Sequence, residues 1–286
     1  MTRKNKEKKK KKSSPILTII FLIALGVFIF AGYQLFSIWK EYHAGTSTYD
    51  EVADEAGLTD LPDSEDVTLE DLGSVDFTSL YNTNSDIVAW IRFPNPDVIN
   101  YPVVHSKDNS DYLRTTFTKG KNSSGTLFAD MNNAADFSDP NVIIYGHAMK
   151  NKSMFGSLKD YKDEQFYKDN PYFYIYTLAG GIYRYKICAV YETTDTSDAY
   201  QISFSDAASY QAYLDKIKGY SLYDTGVTLS TDSHLVTLST CTNRTESGRL
   251  LVQGVLVDTY QTENPAWPAY SWSTPALEET SLQPAQ

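Results

Sequence analysis

Two apolar runs that flank a polar loop decide the fold: Leu235-Val-Thr-Leu-Ser-Thr-Cys241 and Arg249-Leu-Leu-Val-Gln-Gly-Val-Leu-Val257. Both runs are rich in β-branched and aliphatic residues, and the loop between them, Thr242-Asn-Arg-Thr-Glu-Ser-Gly248, has the composition of a turn. The pattern predicts a β-hairpin. Because hairpin strands are antiparallel neighbours, the pairing would hold Cys241 and Arg249 at the same end of two strands.

Six earlier segments have the same character, since they are short, rich in β-branched or aromatic residues and bounded by turn residues. They lie at 87–93, 98–104, 126–129, 142–145, 172–177 and 182–191, and the hairpin adds strands at 235–239 and 250–257. Eight strands in one domain predict a closed barrel or a sandwich. The expected fold class is therefore all-β with a few helices.

Two helices are expected among these strands. Apolar residues repeat with the spacing of one helix face between residues 210 and 217, and Ser205 precedes them as a candidate N-cap. A second helix is expected over residues 153–160.

The charge distribution separates the start of the chain from the rest. The first twelve residues carry eight basic groups and one acid, whereas the remainder has 17 basic and 35 acidic residues and a net charge of −18. Phosphate binding needs a basic surface, so the acidic body argues against a nucleic-acid partner.

An apolar segment at residues 16–36 follows the lysines. As a helix it would be about 32 Å long, enough to cross the hydrocarbon core of a bilayer, and it exceeds the roughly 7–15 residues of a signal-peptide core. It predicts a single uncleaved membrane anchor. The positive-inside rule places the N-terminus in the cytoplasm and the chain beyond Lys40 outside the cell.

The remaining divisions follow from composition. Residues 1–15 form the basic cytoplasmic tail, and residues 37–76, which are acidic and poor in aromatic residues, are expected to be a stalk because they bury too little to fold alone. Residues 77–260 hold the predicted strands. Residues 261–286 carry several prolines and are expected to form an irregular tail.

The chain has two cysteines, which excludes a disulfide-rich scaffold. Cys188 lies within a predicted strand, whereas Cys241 lies where a strand meets a polar loop. His147 follows Asn141-Val-Ile-Ile-Tyr-Gly146, so its ring should also emerge at a sheet edge. A thiol and an imidazole can form a nucleophile and its acid–base partner. No cluster has the spacing of a zinc site, so neither a metal nor another cofactor is expected.

Arg249 is the third candidate, because a guanidinium is permanently charged and its forked donors suit a developing oxyanion. Arg244, inside the loop, is the alternative candidate for holding the oxyanion. Otherwise it is a solvated arginine in the turn.

These residues resemble those of the sortases, the cysteine transpeptidases of Gram-positive bacteria, and class B in particular. The resemblance covers residues 86–258 and includes the helix near 205–218 that class B members insert. The segments that carry it are Gly125-Thr-Leu-Phe-Ala-Asp130, Asn141-Val-Ile-Ile-Tyr-Gly-His147-Ala-Met-Lys150 with Ser153-Met-Phe-Gly-Ser-Leu158, and Thr237-Leu-Ser-Thr-Cys241 with Arg249.

The resemblance implies an eight-stranded sortase-type β-barrel and assigns the chemistry. Cys241 would attack the bond after a threonine in a C-terminal sorting signal, His147 would move the proton, and Arg249 would hold the oxyanion. Thr240 and Ser239 would line the peptide groove. The partners implied are surface proteins that bear a sorting signal, an amine of a peptidoglycan precursor or stem peptide, and the membrane.

Two alternatives remain at this point. A cell-wall L,D-transpeptidase is also an exported Cys-His enzyme, but it carries Ser-His-Gly-Cys at its nucleophile, whereas this chain has Leu238-Ser-Thr-Cys241. The non-enzymatic alternative is a surface binding module in which Cys241 is buried.

Overall fold

The computed structural model describes residues 15–58, 68–94, 99–178, 180–242 and 245–261. The basic tail expected at 1–15 therefore lies outside the described residues except for Pro15, as do Arg244 and all but the first residue of the tail expected at 261–286. Residues up to Ala44 and residues from Gly45 onward form two separate compact units.

Eight strands close into a barrel in the order β1-β2-β3-β4-β7-β8-β6-β5. They are β1 Ile87–Arg92, β2 Asn100–His105, β3 Leu127–Ala129, β4 Asn141–Tyr145, β5 Tyr172–Thr177, β6 Gly181–Thr194, β7 Leu235–Cys241 and β8 Gly248–Gln261. The predicted barrel is confirmed, and each of its strands matches one of the eight predicted segments. Each of the eight strands is hydrogen-bonded to a neighbour on both sides, which is how a small all-β domain satisfies its backbone.

Two of the strand pairs are parallel, and the others are antiparallel. The parallel pairs are β2 with β3 and β4 with β7, whereas β7 and β8 form the predicted antiparallel hairpin. Strands β6 and β8 pair along 13 positions, from Gly181 with Gln261 to Thr194 with Gly248. Both strands extend beyond their predicted ends. The prediction followed the apolar residues, whereas the ladder also pairs the backbone groups of the polar residues that flank them.

Five α-helices accompany the barrel within the described residues: α1 Pro15–Ala56, α2 Leu69–Leu72, α3 Phe77–Thr83, α4 Glu164–Asp169 and α5 Ala207–Tyr220. Short 3₁₀ helices lie at Gly156–Lys162 and Asp198–Tyr200. The second predicted helix, at 153–160, is thus a 3₁₀ helix that begins three residues later. Helix α5 buries the predicted apolar face. Its N-cap is Asp206 rather than Ser205, because the Asp206 carboxylate accepts the Ser209 N–H at 2.7 Å.

Helix α1 contains an 18-residue window of mean hydropathy 2.6, and it is the one described helix that is long and apolar enough to cross a membrane. This segment is the candidate span that the sequence predicts at residues 16–36.

The stretch expected to be a stalk departs from that expectation between Gly45 and Ala56. Gly45, Tyr49, Val52 and Ala56 repeat along one face of α1 and are buried. The Tyr49 hydroxyl donates to the Gly125 carbonyl and lies 3.1 Å from Thr126 Oγ1. Composition hid this face because the acids of the segment lie mostly on its exposed side. The folded unit accordingly begins well before residue 77.

A buried polar network fastens α5 to the barrel. Asn141, Thr237 and Gln253, from β4, β7 and β8, are each 0% exposed. Thr237 Oγ1 donates to Asn141 Oδ1 at 2.7 Å, and Gln253 Nε2 donates to Thr237 Oγ1 at 2.8 Å. The Tyr213 hydroxyl of α5 accepts from Asn141 Nδ2 at 3.0 Å and from Gln253 Nε2 at 3.1 Å. Because an unpaired buried polar group costs free energy of folding, this network specifies a single packing position for α5 on the barrel.

The packed helix face at Gly45–Ala56 generates a stability prediction. Val52→Ala should lower the free energy of unfolding by about 1–3 kcal/mol because it opens a cavity in a close-packed interface. The neighbouring Glu51→Ala, on the exposed side, should change it by less than about 0.5 kcal/mol. Urea unfolding of the full chain in detergent micelles measures both. A free stalk would leave the two variants equally stable, and that result would contradict the packing seen here.

Candidate active site

The ends of three neighbouring strands bring the predicted residues together. In the parallel pair of β4 and β7, Tyr145 lies opposite Ser239. His147 and Cys241 therefore each lie two residues beyond that pair, at the same end of the barrel. In the antiparallel pair of β7 and β8, Cys241 lies opposite Arg249. Because adjacent strands are about 4.8 Å apart, the register sets imidazole, thiol and guanidinium in one row across the rim of the barrel.

The backbone on either side of His147 is fixed. The Gly146 N–H donates to the Ser239 carbonyl at 3.1 Å, and Thr240 Oγ1 donates to the Gly146 carbonyl at 2.7 Å. After the histidine the chain folds back, so that the Phe155 N–H donates to the His147 carbonyl at 3.0 Å. A Cβ on Gly146 would lie 2.4 Å from Leu127 Cδ2 and 2.8 Å from Phe155 Cγ, and both of these side chains are fully buried. Only glycine permits this close approach, which explains why a glycine precedes the histidine.

A backbone carbonyl orients the imidazole ring. His147 Nε2 lies 2.7 Å from the Leu113 carbonyl oxygen. A carbonyl can only accept, so Nε2 carries the hydrogen and a neutral ring keeps its lone pair on Nδ1. The tautomer of the candidate acid–base group is thus set by a residue 34 positions earlier in the chain.

The Arg249 guanidinium is held by the turn that precedes it and by one carboxylate. Nη1 donates to the Glu246 carbonyl at 2.9 Å and to the Gly248 carbonyl at 3.1 Å. Nη2 donates to Asp195 Oδ2 at 3.1 Å. These bonds involve the two amino nitrogens, and none of the described residues accepts from Nε. A guanidinium has five N–H groups, and its bonds to the described residues use three of them.

The two cysteines differ as the sequence predicts. Cys188 is 2% exposed, its Sγ donates to the Gln253 carbonyl at 3.3 Å, and burial raises the pKa of its thiol to about 12. It is a small buried side chain without access to substrate. Cys241 is partly exposed and free, as the last residue of β7.

A cavity of about 320 Å³ opens at this row of residues. His147, Cys241 and Arg249 line it together with Ser239 and Thr240. The hydroxyl groups of the last two already have protein partners, since Ser239 bonds the Tyr200 hydroxyl at 2.8 Å and Thr240 bonds Gly146. Both residues are 2% exposed, so they contribute chiefly to the shape of the cavity wall.

Sequence analysis missed several lining residues, among them Leu113, Tyr145, Asp195 and Tyr200. Burial raises the pKa of Tyr145 and Tyr200, so both phenols are neutral hydrogen-bonding groups. Tyr145 could have been found as the last residue of a predicted strand. Asp195 follows β6 directly, so a prediction that β6 pairs with β8 would have placed it beside the hairpin turn. Leu113 and Tyr200 lie outside the strands and give no such signal.

Comparison with known proteins agrees with this fold. Residues 91–257 match the sortase domain family. Sortase B of Listeria monocytogenes is 34% identical over 241 residues, which are 82% of this chain and 94% of that protein.

Solved structures give the same result. Sortase B from Bacillus anthracis, in complex with AAEK1, superposes with a TM-score of 0.65 at 31% identity and covers 77% of this chain and 99% of its own. A sortase B–substrate complex from Staphylococcus aureus gives a TM-score of 0.66 at 26% identity, over 77% and 99% of the two chains.

The chain belongs to the sortase family, within class B. It is therefore an enzyme of the sortase class, a transpeptidase, and both alternatives left open by the sequence, an L,D-transpeptidase and a non-enzymatic binding module, are removed.

Proposed function

We propose that this enzyme is anchored in the membrane, cleaves a C-terminal sorting signal after threonine through an acyl-thioester, and transfers the protein to a peptidoglycan amine. The observation that carries the proposal is the row of His147, Cys241 and Arg249 across β4, β7 and β8. It supplies a nucleophile, a proton carrier and a cationic donor at one cavity.

In the first step the Cys241 thiolate attacks the carbonyl carbon of the threonine. The carbonyl oxygen gains the electron pair and becomes an oxyanion. When the C–N bond breaks, the imidazolium of His147 gives its proton to the departing amine. The products are an acyl-thioester on Cys241 and the released C-terminal fragment.

In the second step an amine of a peptidoglycan precursor or stem peptide attacks the thioester. The amine loses a proton to the now neutral imidazole, and the Cys241 thiolate leaves. The proton count returns to that of the free enzyme, so His147 serves as acid in one step and as base in the other.

Arg249 is the group proposed to hold the oxyanion. Its orientation is fixed in advance by the turn carbonyls and Asp195, and a preorganised donor needs no rearrangement as charge develops. Ser239 and Thr240 are proposed as groove residues that act through the shape of the wall.

The sorting-signal protein is proposed as the first substrate because the chain belongs to the sortases. Anchorage gives this reaction a physical advantage. Enzyme, tethered substrate and lipid-linked acceptor would share one membrane, which raises their effective concentration without tight binding.

The topology is proposed from the charge asymmetry around the candidate span at residues 16–36. Eight basic groups precede it, and the positive-inside rule then places the N-terminus in the cytoplasm and the barrel outside the cell.

The thioester mechanism predicts the behaviour of Cys241→Ala. This variant should show no measurable cleavage of fluorogenic peptides built on Pro-x-Thr-Gly or Pro-x-Thr-Asn, because it lacks the nucleophile. Cys188→Ala is the matched control and should cleave at nearly the wild-type rate. Substantial turnover by Cys241→Ala would rule out the thioester.

The oxyanion assignment predicts a difference between two neighbouring arginines. Arg249→Ala should reduce kcat/KM for the same peptide by about 10²–10³-fold, the usual effect of removing an oxyanion donor. Arg244→Ala should stay within about threefold of wild type, because the proposal gives Arg244 no part in the reaction. The opposite order of effects would transfer the role to Arg244.

The topology predicts which thiol a membrane-impermeant methanethiosulfonate reagent reaches in intact cells. Cys241 should react, because it is partly exposed and outside the cell, while buried Cys188 should not. Mass spectrometry of the purified protein identifies the modified residue. If Cys241 reacts only after the cells are permeabilised, the barrel faces the cytoplasm and the proposed topology is wrong.

A further inference from the structure

Asp195 is the carboxylate that contacts Arg249, and its backbone is fixed beside the β7–β8 turn. It follows Thr194, which forms the last pair of the β6–β8 ladder with Gly248. The Asp195 N–H then donates to the Ser247 carbonyl at 3.0 Å. The residue is therefore placed by two main-chain contacts with the hairpin that carries Arg249.

The ion pair of Asp195 and Arg249 is not built for stability. The side chains are 42% and 21% exposed, and the distance between Oδ2 and Nη2 is 3.1 Å. Pairs with such exposure contribute little to folding, because water competes for both charges. The pair instead determines the orientation of the guanidinium. Asp195 holds Nη2, while the turn carbonyls of Glu246 and Gly248 hold Nη1.

The chain segment after Asp195 is itself held on the barrel. Asn141 Nδ2 donates to the Gln201 carbonyl at 2.9 Å, and the Tyr213 hydroxyl donates to the Ala199 carbonyl at 2.9 Å. These bonds belong to the buried network that seats α5. The segment that leads from β6 into α5 thus has a defined path past the cavity, and Asp195 lines that cavity with Arg249 and Cys241.

We propose that Asp195 is a positioning residue of this enzyme: it holds the Arg249 guanidinium in the orientation in which its remaining donors meet the oxyanion at Cys241. The inference rests on the proposed role of Arg249. Among the described residues, the side-chain hydrogen bond of Asp195 is to Arg249 Nη2. It acts by restricting rotation of the guanidinium, so its loss should impair the transition state more than peptide binding.

Single-turnover acylation of the full-length enzyme in detergent, with a fluorogenic Pro-x-Thr-Gly or Pro-x-Thr-Asn peptide, tests the proposal. Asp195→Ala should lower the limiting acylation rate by roughly tenfold while the half-saturating peptide concentration changes less than about twofold. Asp195→Asn should recover most of the rate, because its amide oxygen can still accept from Nη2.

Two controls separate positioning from general damage. Asp198→Ala breaks the ion pair with Lys216 in the same segment, without contact to Arg249, and should acylate at the wild-type rate. In an Arg249→Ala background, Asp195→Ala should cause no further loss, since there is no guanidinium left to orient. Melting temperatures of all variants should remain close to that of wild type.

Three results would overturn the proposal. They are a wild-type or increased acylation rate in Asp195→Ala, an equal loss in Asp198→Ala, and a full additional loss in the Arg249→Ala background. An increased rate would mean that Asp195 withholds the arginine from substrate. Failure of the proposed function is distinguishable, because it would appear as full activity of Arg249→Ala itself, whatever Asp195→Ala does.

Discussion

The parallel pairing of β4 with β7 is the constraint on which the site depends. Side chains alternate between the faces of a strand, so a slip of one residue would send either His147 or Cys241 to the opposite face. The bond of 2.7 Å from Thr237 to Asn141 ties the two strands inside the protein, below the rim. A buried contact that is remote from the thiol thereby sets the register on which imidazole and thiol meet.

The same buried network links the site to the segment that precedes α5. Its polar groups are paired among β4, β7, β8 and the helix, and leaving one of them unpaired costs about 1–3 kcal/mol. The network therefore permits only one path for the chain between β6 and α5. That path brings Asp195 to the Arg249 guanidinium and Tyr200 to Ser239. The segment between β6 and α5 therefore completes a side of the cavity that the barrel strands alone leave open.

The strands, and the placement of His147, Cys241 and Arg249 at neighbouring strand ends, could be predicted from sequence because both follow from short-range patterns. Runs of β-branched residues mark the strands, and Cys241, His147 and Arg249 each lie at the end of such a run. What sequence could not supply depends on contacts between distant segments. The Leu113 carbonyl orients the His147 ring from 34 positions earlier in the chain, and no local sequence pattern predicts that contact. The buried face of α1 at Gly45–Ala56 was missed because the acidic residues of the same helix dominate its composition. The N-cap of α5 is Asp206, one residue after the expected Ser205.

Acyl-enzyme trapping tests the central claim most directly. The full-length enzyme is mixed with a Pro-x-Thr-Gly or Pro-x-Thr-Asn peptide without an amine acceptor, quenched in acid and digested, and the fragments are weighed by mass spectrometry. The account predicts an added mass equal to the peptide portion that ends at threonine, attached to Cys241 and absent from Cys188. An adduct on another residue, or peptide cleavage without any adduct, would contradict it.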